Sequence, residues 1–218
     1  MEPRRVADNV VVVARSFNPT ILSQVWFVRH GIIEENEFAQ TCVFSPFVVD
    51  ARTKAFQLLV TPDRLQLTFR PDADRAATIR AVLQRIVQLL PHTPYVAVGF
   101  NVQYEIVPEA TTYAAKLRKA MLVPEGPLAE HFREPDARFG SHLAKQVGEM
   151  RMTMEVKPAR RNEQAGAPEV VSLAFNFHRD LNSDDKATVL VAALGSWDQA
   201  MLEAQTIAHA FGAKWEAL

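Results

Sequence analysis

Apolar and polar positions alternate along much of the first third of the chain, and this period of two predicts strands. Segment 10–17 is rich in β-branched residues, which favours a strand. Segment 21–33 has apolar side chains on both sides, which predicts a central strand. Segment 39–50 predicts a further strand that bends or ends at Pro46, because proline cannot donate to a ladder. Segment 56–69 alternates on both sides of TPDR and predicts a hairpin.

Apolar residues recur at helical spacing in three later segments. Segment 73–90 predicts a long helix that ends before Pro91, and segment 112–122 predicts a short basic helix. Segment 124–140 is punctuated by proline and glycine and predicts a loop. Segment 196–213 predicts the last helix, since its SWDQ start has the spacing of a capping box.

Strands therefore precede the first helix and mix with helices afterwards, which predicts an α+β fold. Segment 148–157 alternates strictly and adds a strand, whereas segment 136–146 is not strand-like. The alternation favours a mostly antiparallel sheet with one wet face and with helices packed on the other. We expect one domain over 1–218, with halves 1–123 and 137–218 joined by the loop as the alternative division.

Two segments, 96–106 (VAVGFNVQYEI) and 171–181 (VSLAFNFHRDL), have similar sequences, and a helical segment follows each. A duplicated strand-helix unit is one explanation; the other is that two strands with one wet face look alike. Phe100 and Phe175 fall on the apolar face of the respective strands. The opposite, polar face carries the candidate binding residues Asn101, Gln103, Glu105, Asn176, His178 and Asp180.

Composition narrows the functional classes. Hydrophobic residues make up 48% and charged residues 22% of 218, which is typical of a globular protein. The formal net charge of −1 provides no field that would draw the chain to nucleic acid. A single cysteine, Cys42, excludes an internal disulfide, and no apolar run reaches the ~20 residues of a membrane helix. We expect a cytoplasmic protein that binds neither nucleic acid nor membrane.

Two groups of residues have patterns that suggest ligand binding or catalysis. The polar face around Asn176, His178 and Asp180 can form a hydrogen-bonding or metal-binding cluster, although any antiparallel sheet has such a wet face. Asp136 after proline, with Glu155 and Lys157, matches the skeleton of a PD-(D/E)xK nuclease, in which acidic groups hold Mg²⁺. So loose a pattern also arises by chance.

The sequence favours a non-catalytic binding or assembly protein that acts through its sheet face and last helix, on a protein partner or a second copy of itself. No cofactor and no metal are predicted. The alternative is a small-ligand sensor or metal-dependent enzyme that uses the polar face or Asp136, Glu155 and Lys157. Apolar residues form a stripe along the last helix, and such a stripe suits either core packing or a subunit interface. Its members are Ala200, Ala204, Ile207, Ala208 and Phe211.

Overall fold

One antiparallel sheet organises the chain. The computed structural model describes residues 1–108, 113–123, 125–134, 137–160 and 169–217. The strands are β1 Arg4–Ala14, β2 Val43–Phe44, β3 Val49–Arg52, β4 Phe56–Val60, β5 Arg64–Phe69, β6 Tyr95–Ile106, β7 Ser141–Val147, β8 Met150–Arg160 and β9 Glu169–Asp180. Their order across the sheet is β2-β3-β4-β5-β1-β6-β9-β8-β7, so β2 and β7 form its two edges.

Helices pack on one face of this sheet. They are α1 Gln24–Arg29, α2 Arg75–Thr78, α3 Arg85–Leu89, α4 Tyr113–Met121, α5 Lys186–Leu194 and α6 Trp197–Ala217. The α5 and α6 helices lie against β6, and α6 also contacts β9. None of the described helices combines the length and the apolar character that a membrane crossing requires. The α+β fold with a one-sided helix layer is thus confirmed.

The core lies between the sheet and the helices, where the alternating apolar side chains of the strands are buried. Phe100 and Phe175 are both buried on this side, as the alternation of the two similar strands predicts. Phe100 meets Trp197 at the start of α6 with ring centroids 5.3 Å apart. The alanine stripe of α6 is buried as well, so the helix uses its small side chains to approach β6 and β9 closely.

The prediction of a central strand over 21–33 is wrong. A 3-10 turn, Pro19–Ile21, and the helix α1 occupy this segment. The Ser23 hydroxyl accepts a hydrogen bond from the Trp26 amide at 3.2 Å, which caps α1. In the helix, Phe27 enters the core while Val25 faces solvent. A local cap and one buried ring therefore outweigh the strand propensity of the valines.

Three other segments differ from their predicted form. The segment over 39–50, predicted as a strand that bends or ends at Pro46, is interrupted there by a tight turn that separates β2 from β3, and β3 continues to Arg52. The judgement that 136–146 is not strand-like is wrong for residues from 141 onward, because β7 pairs with β8. The helix predicted over 73–90 is present, but a π-helical stretch, Ile79–Gln84, joins α2 to α3.

A buried ion pair fixes the start of α2 to the sheet. Asp8 of β1 is buried on the helix-covered side, and its carboxylate accepts a hydrogen bond from the Arg75 guanidinium. Arg75 also lies over the Phe69 ring, 5.8 Å from its centroid. The Arg5 side chain is the second cation near Asp8, at 3.5 Å, and it is more exposed.

Arg75→Met should lower the free energy of unfolding by about 3 kcal/mol, because it leaves a buried carboxylate with one weaker cation. Chemical denaturation at constant slope measures this change. In the matched double variant Asp8→Leu/Arg75→Met most of the loss should be regained, since no uncompensated charge remains. A double variant as unstable as the single one would contradict this explanation.

Candidate binding site on the uncovered sheet face

A row of asparagines crosses the middle of the sheet on the face that no described helix covers. The strand register places Asn9 of β1 beside Asn101 of β6, and Asn101 beside Asn176 of β9. The Asn176 amide donates to the Asn101 oxygen at 2.8 Å, and the Asn101 amide donates to the Asn9 oxygen at 2.8 Å. Thr68 and Thr153 extend this amide row on its two sides.

The similar strands β6 and β9 are direct neighbours. Their antiparallel register is centred on the pair of Asn101 and Asn176. A local two-fold axis through this pair therefore relates Phe100 to Phe175 and Gln103 to His178, which are the positions that the sequence similarity matches. The elements that precede the two strands differ, a helix before β6 and a strand before β9. An internal duplication is not shown and stays a prediction.

A shallow hollow adjoins the amide row. It has a volume of 460 Å³, and we call it the sheet hollow. The small side chains of Ala7 and Ala174 leave the space, because the residues beside them in the register, Gln103 and Glu155, have longer side chains. Side chains that line it include Asn101, Gln103, His142 and Glu155. Gln103 is held by a 3.1 Å hydrogen bond from its amide to the Ser172 hydroxyl, so this wall of the hollow is fixed.

Charged side chains on this face lie outside the amide row, and several of them form ion pairs. The Lys157 ammonium lies 2.8 Å from the Glu155 carboxylate. At the other end of the face, the guanidinium of Arg52 donates to Asp50 and lowers the pKa of that carboxyl. The amide row itself is therefore uncharged, and ion pairs lie to either side of it.

The six residues predicted as a site share one face but do not form one cluster. Asn101, Gln103 and Asn176 line the sheet hollow. His178 and Asp180 lie on the other side of the amide row, where the His178 ring nitrogen is 3.0 Å from the Asp180 carboxylate. Each step of two residues along a strand adds ~7 Å, which separates this pair from the hollow. Glu105 lies at the opposite end of β6 and is half-buried.

The nuclease-like pattern is placed only in part. Glu155 and Lys157 share the polar face and form an ion pair there. Asp136 lies outside the described residues. Within the described ranges, no three His, Cys, Asp or Glu side chains come together in a way that could hold a metal ion.

Sequence reasoning missed several residues of this face. Asn9 and Ala7 alternate with the buried Val10 and Asp8, and that alternation was a usable signal. His142 was missed because β7 was not recognised as a strand. The alternation of segment 148–157 puts Thr153 on the face opposite the methionines, yet only the register between β8 and β9 brings it beside Asn176.

In comparisons with protein-family models, curated proteins and solved structures, nothing matches this chain.

Proposed function

We propose that the protein is a non-catalytic binding protein that holds a partner protein on the polar face of its sheet. The observation that carries this proposal is the amide row, which lies at the centre of a broad face outside the helix layer. Interfaces between proteins are depleted of charge at their centre and carry polar groups at their rim. The distribution of amides and ion pairs on this face follows that arrangement.

The amide row is suited to hydrogen bonding with a partner. Each asparagine side chain has two donor hydrogens and one acceptor oxygen with two lone pairs. The bonds between Asn9, Asn101 and Asn176 use part of that capacity and fix the side chains in place. The remaining donors and acceptors are half-exposed and preorganised, so a partner's amides or backbone groups bind them at a small entropic cost.

The sheet hollow supports a protein partner more than a free small molecule. Pockets for small ligands are mostly apolar and enclose most of the ligand surface. This hollow is open to solvent, and amide, hydroxyl and small side chains make up much of its wall. It has the form of a recess that accepts one protruding side chain of a partner at the centre of an interface.

The apolar stripe of α6 contributes little to such a surface, because its alanines are already buried against the sheet. Of the two contact surfaces expected from the sequence, the sheet face therefore carries the proposal.

A small-ligand sensor remains the second candidate, and the volume of the hollow favours it. At 460 Å³ the hollow falls within the ~300–1,000 Å³ of ligand pockets. Glu155 and His142 are neighbours in the register on its wall and could orient a polar ligand.

Ala174→Arg tests both candidates, because Ala174 is half-exposed in the hollow and an arginine there fills it without entering the core. The tagged wild type, isolated from its own cells, should retain a partner protein that Ala174→Arg loses. The matched control Leu202→Arg, on the outer side of α6, should retain it.

The same partner retained equally by all three proteins would exclude the sheet face as its contact surface. If native mass spectrometry instead finds a small molecule on the wild type and on Leu202→Arg only, the sensor replaces the binding protein.

A further inference from the structure

A cleft lined by arginines opens beside the N-terminal half of β1, and we call it the arginine cleft. It has a volume of 590 Å³. Its arginines come from three places in the chain: Arg4 and Arg5 from β1, Arg70 from the residue after β5, and Arg75 from α2. Among the described residues that line the cleft, Asp8 is the one acidic residue, so positive charge is in excess there.

The cleft exists because β5 ends before β1 does. The pairing of these two strands runs only as far as Asn9 and Thr68, and a turn at residues 71–72 then leads the chain away. In the described part of the chain, Arg4–Ala7 therefore has a strand beside it only on the β6 side. The sheet is open on the other side, and side chains from both of its faces border the cleft.

Two of the arginines lie on the helix-covered side and are partly neutralised. Arg5 lies beside the buried Tyr104 in the register, and it shares the Asp8 carboxylate with Arg75. One buried carboxylate thus faces two guanidinium groups, which leaves this part of the cleft with one positive charge in excess.

The other two arginines lie on the polar face and are exposed. Arg4 is next to Glu105 in the register, and Glu105 lies on the β6 side of β1, away from the cleft. The Arg70 amide donates to the Ala55 carbonyl at 2.8 Å, so the extended backbone continues beyond β5. Alternation with the buried Phe69 then directs Arg70 to the polar face. Neither Arg4 nor Arg70 has an ion pair or a side-chain hydrogen bond to any described residue.

The arginine cleft adjoins the proposed interface. Ala7, Asp8 and Asn9 line both the cleft and the sheet hollow. Asn9 is also the last asparagine of the amide row on this side, where its oxygen accepts a hydrogen bond from Asn101. A partner protein that lies on the amide row therefore reaches the cleft at Asn9.

We propose that the arginine cleft receives an acidic segment of the partner protein, whose carboxylates bind Arg4 and Arg70. The inference rests on the proposed function, because it identifies the chemistry of one part of that partner. A guanidinium group binds a carboxylate through two parallel hydrogen bonds, which makes an exposed arginine without a partner well suited to this role. Complementary charge at the margin of an interface also speeds the encounter and excludes partners of the wrong charge.

Carboxylates of a protein fit this surface better than the backbone of a nucleic acid does. Proteins that bind nucleic acid neutralise several successive phosphates with lysine and arginine side chains. Here two exposed arginines stand beside a row of uncharged amides, and the formal net charge of the chain is −1. The positive charge is thus confined to the cleft, which suits a short acidic segment.

Binding of a fluorescent hexaglutamate peptide, capped at both ends and followed by anisotropy, tests the inference on the isolated protein. The wild type should bind the peptide at low ionic strength and release it as salt is added, because exposed charge pairs are screened. The double variant Arg4→Gln/Arg70→Gln should bind it about tenfold more weakly, since it lacks the two exposed charges of the cleft. Both residues are exposed, so we expect an unchanged circular-dichroism spectrum.

The matched control is Arg64→Gln/Arg151→Gln, which removes the same charge from two exposed positions of the polar face that do not line the cleft. This control should bind the peptide nearly as the wild type does. A wild type that does not bind the peptide, or an equal loss in both double variants, overturns the proposal.

Two competitors separate the other anions. Displacement of the peptide by inorganic phosphate would make the cleft a site for a small oxyanion, and tighter binding of a single-stranded RNA homopolymer would make it a nucleic-acid site; either result overturns the acidic segment. None of these measurements involves the sheet hollow. A failure here therefore leaves the retention experiment with Ala174→Arg to decide separately whether a partner protein binds the sheet face.

Discussion

Replacing Ala204 with arginine should unfold the protein or leave it insoluble. Ala204 is 0% exposed, in the stripe where α6 packs on the sheet. An arginine there would bring a charge and a long side chain into a close-packed region with no carboxylate provided for it, and burial of an unpaired charge costs many kcal/mol. Soluble yield, circular dichroism and the thermal transition of the purified variant measure the effect.

Leu202→Arg is the matched control, since Leu202 lies two residues earlier on the same helix and is 65% exposed. That variant should remain soluble and change the free energy of unfolding by no more than about 0.5 kcal/mol. If Ala204→Arg instead gave a soluble protein with the wild-type spectrum, α6 would not be packed as described. The alternative reading of its stripe as a subunit interface would then return.

The structure resolves an ambiguity that the sequence of α6 leaves open. Small residues at helical spacing with a tryptophan at each end suit both a core helix and an interface helix. Trp197 and Trp215 are buried within the chain, and Trp197 meets the Phe100 ring. Periodicity identifies which face of a helix is buried, but it does not identify the surface that buries it.

The local sequence predicted strands correctly where every second residue is buried. The hairpin of β4 and β5, the alternation of β8 and the two similar strands are all present. The sequence-based prediction failed at α1, where valines and aromatic residues have strand propensity but a serine cap stabilises a helix. It failed again at β7, because an edge strand whose residues are mostly exposed lacks the apolar alternation by which strands are recognised.

The candidate site was predictable only in part, because it depends on how the strands pair and not only on which residues form strands. Alternation assigns Asn101 and Asn176 to the polar face, but it gives no lateral register. The register between β6 and β9 brings these two residues together, and that between β1 and β6 adds Asn9 from a distant part of the sequence. A one-residue slip in either pairing would turn the amide row toward the core, so the site depends on long-range pairing fixed by the packing of the opposite face.

The burial of that opposite face predicts a second large effect. Phe100→Ala should lower the free energy of unfolding by about 3–5 kcal/mol, because it removes a fully buried ring that contacts Trp197 and leaves a cavity behind. Phe175→Ala should cost a similar amount, since Phe175 is buried and its ring meets that of Tyr104 at 6.1 Å. Denaturant midpoints at constant slope give both values.

His178→Ala provides the control on the polar face. His178 lies on β9 three residues beyond Phe175, points the other way and is exposed, so its loss should change stability by no more than about 0.5 kcal/mol. Because side chains alternate with a period of two, these three variants together report which face is buried. Losses below about 1 kcal/mol at both phenylalanines would mean that the facing of β6 and β9 is reversed. The asparagines would then point into the core, and the amide row could not serve as a binding surface.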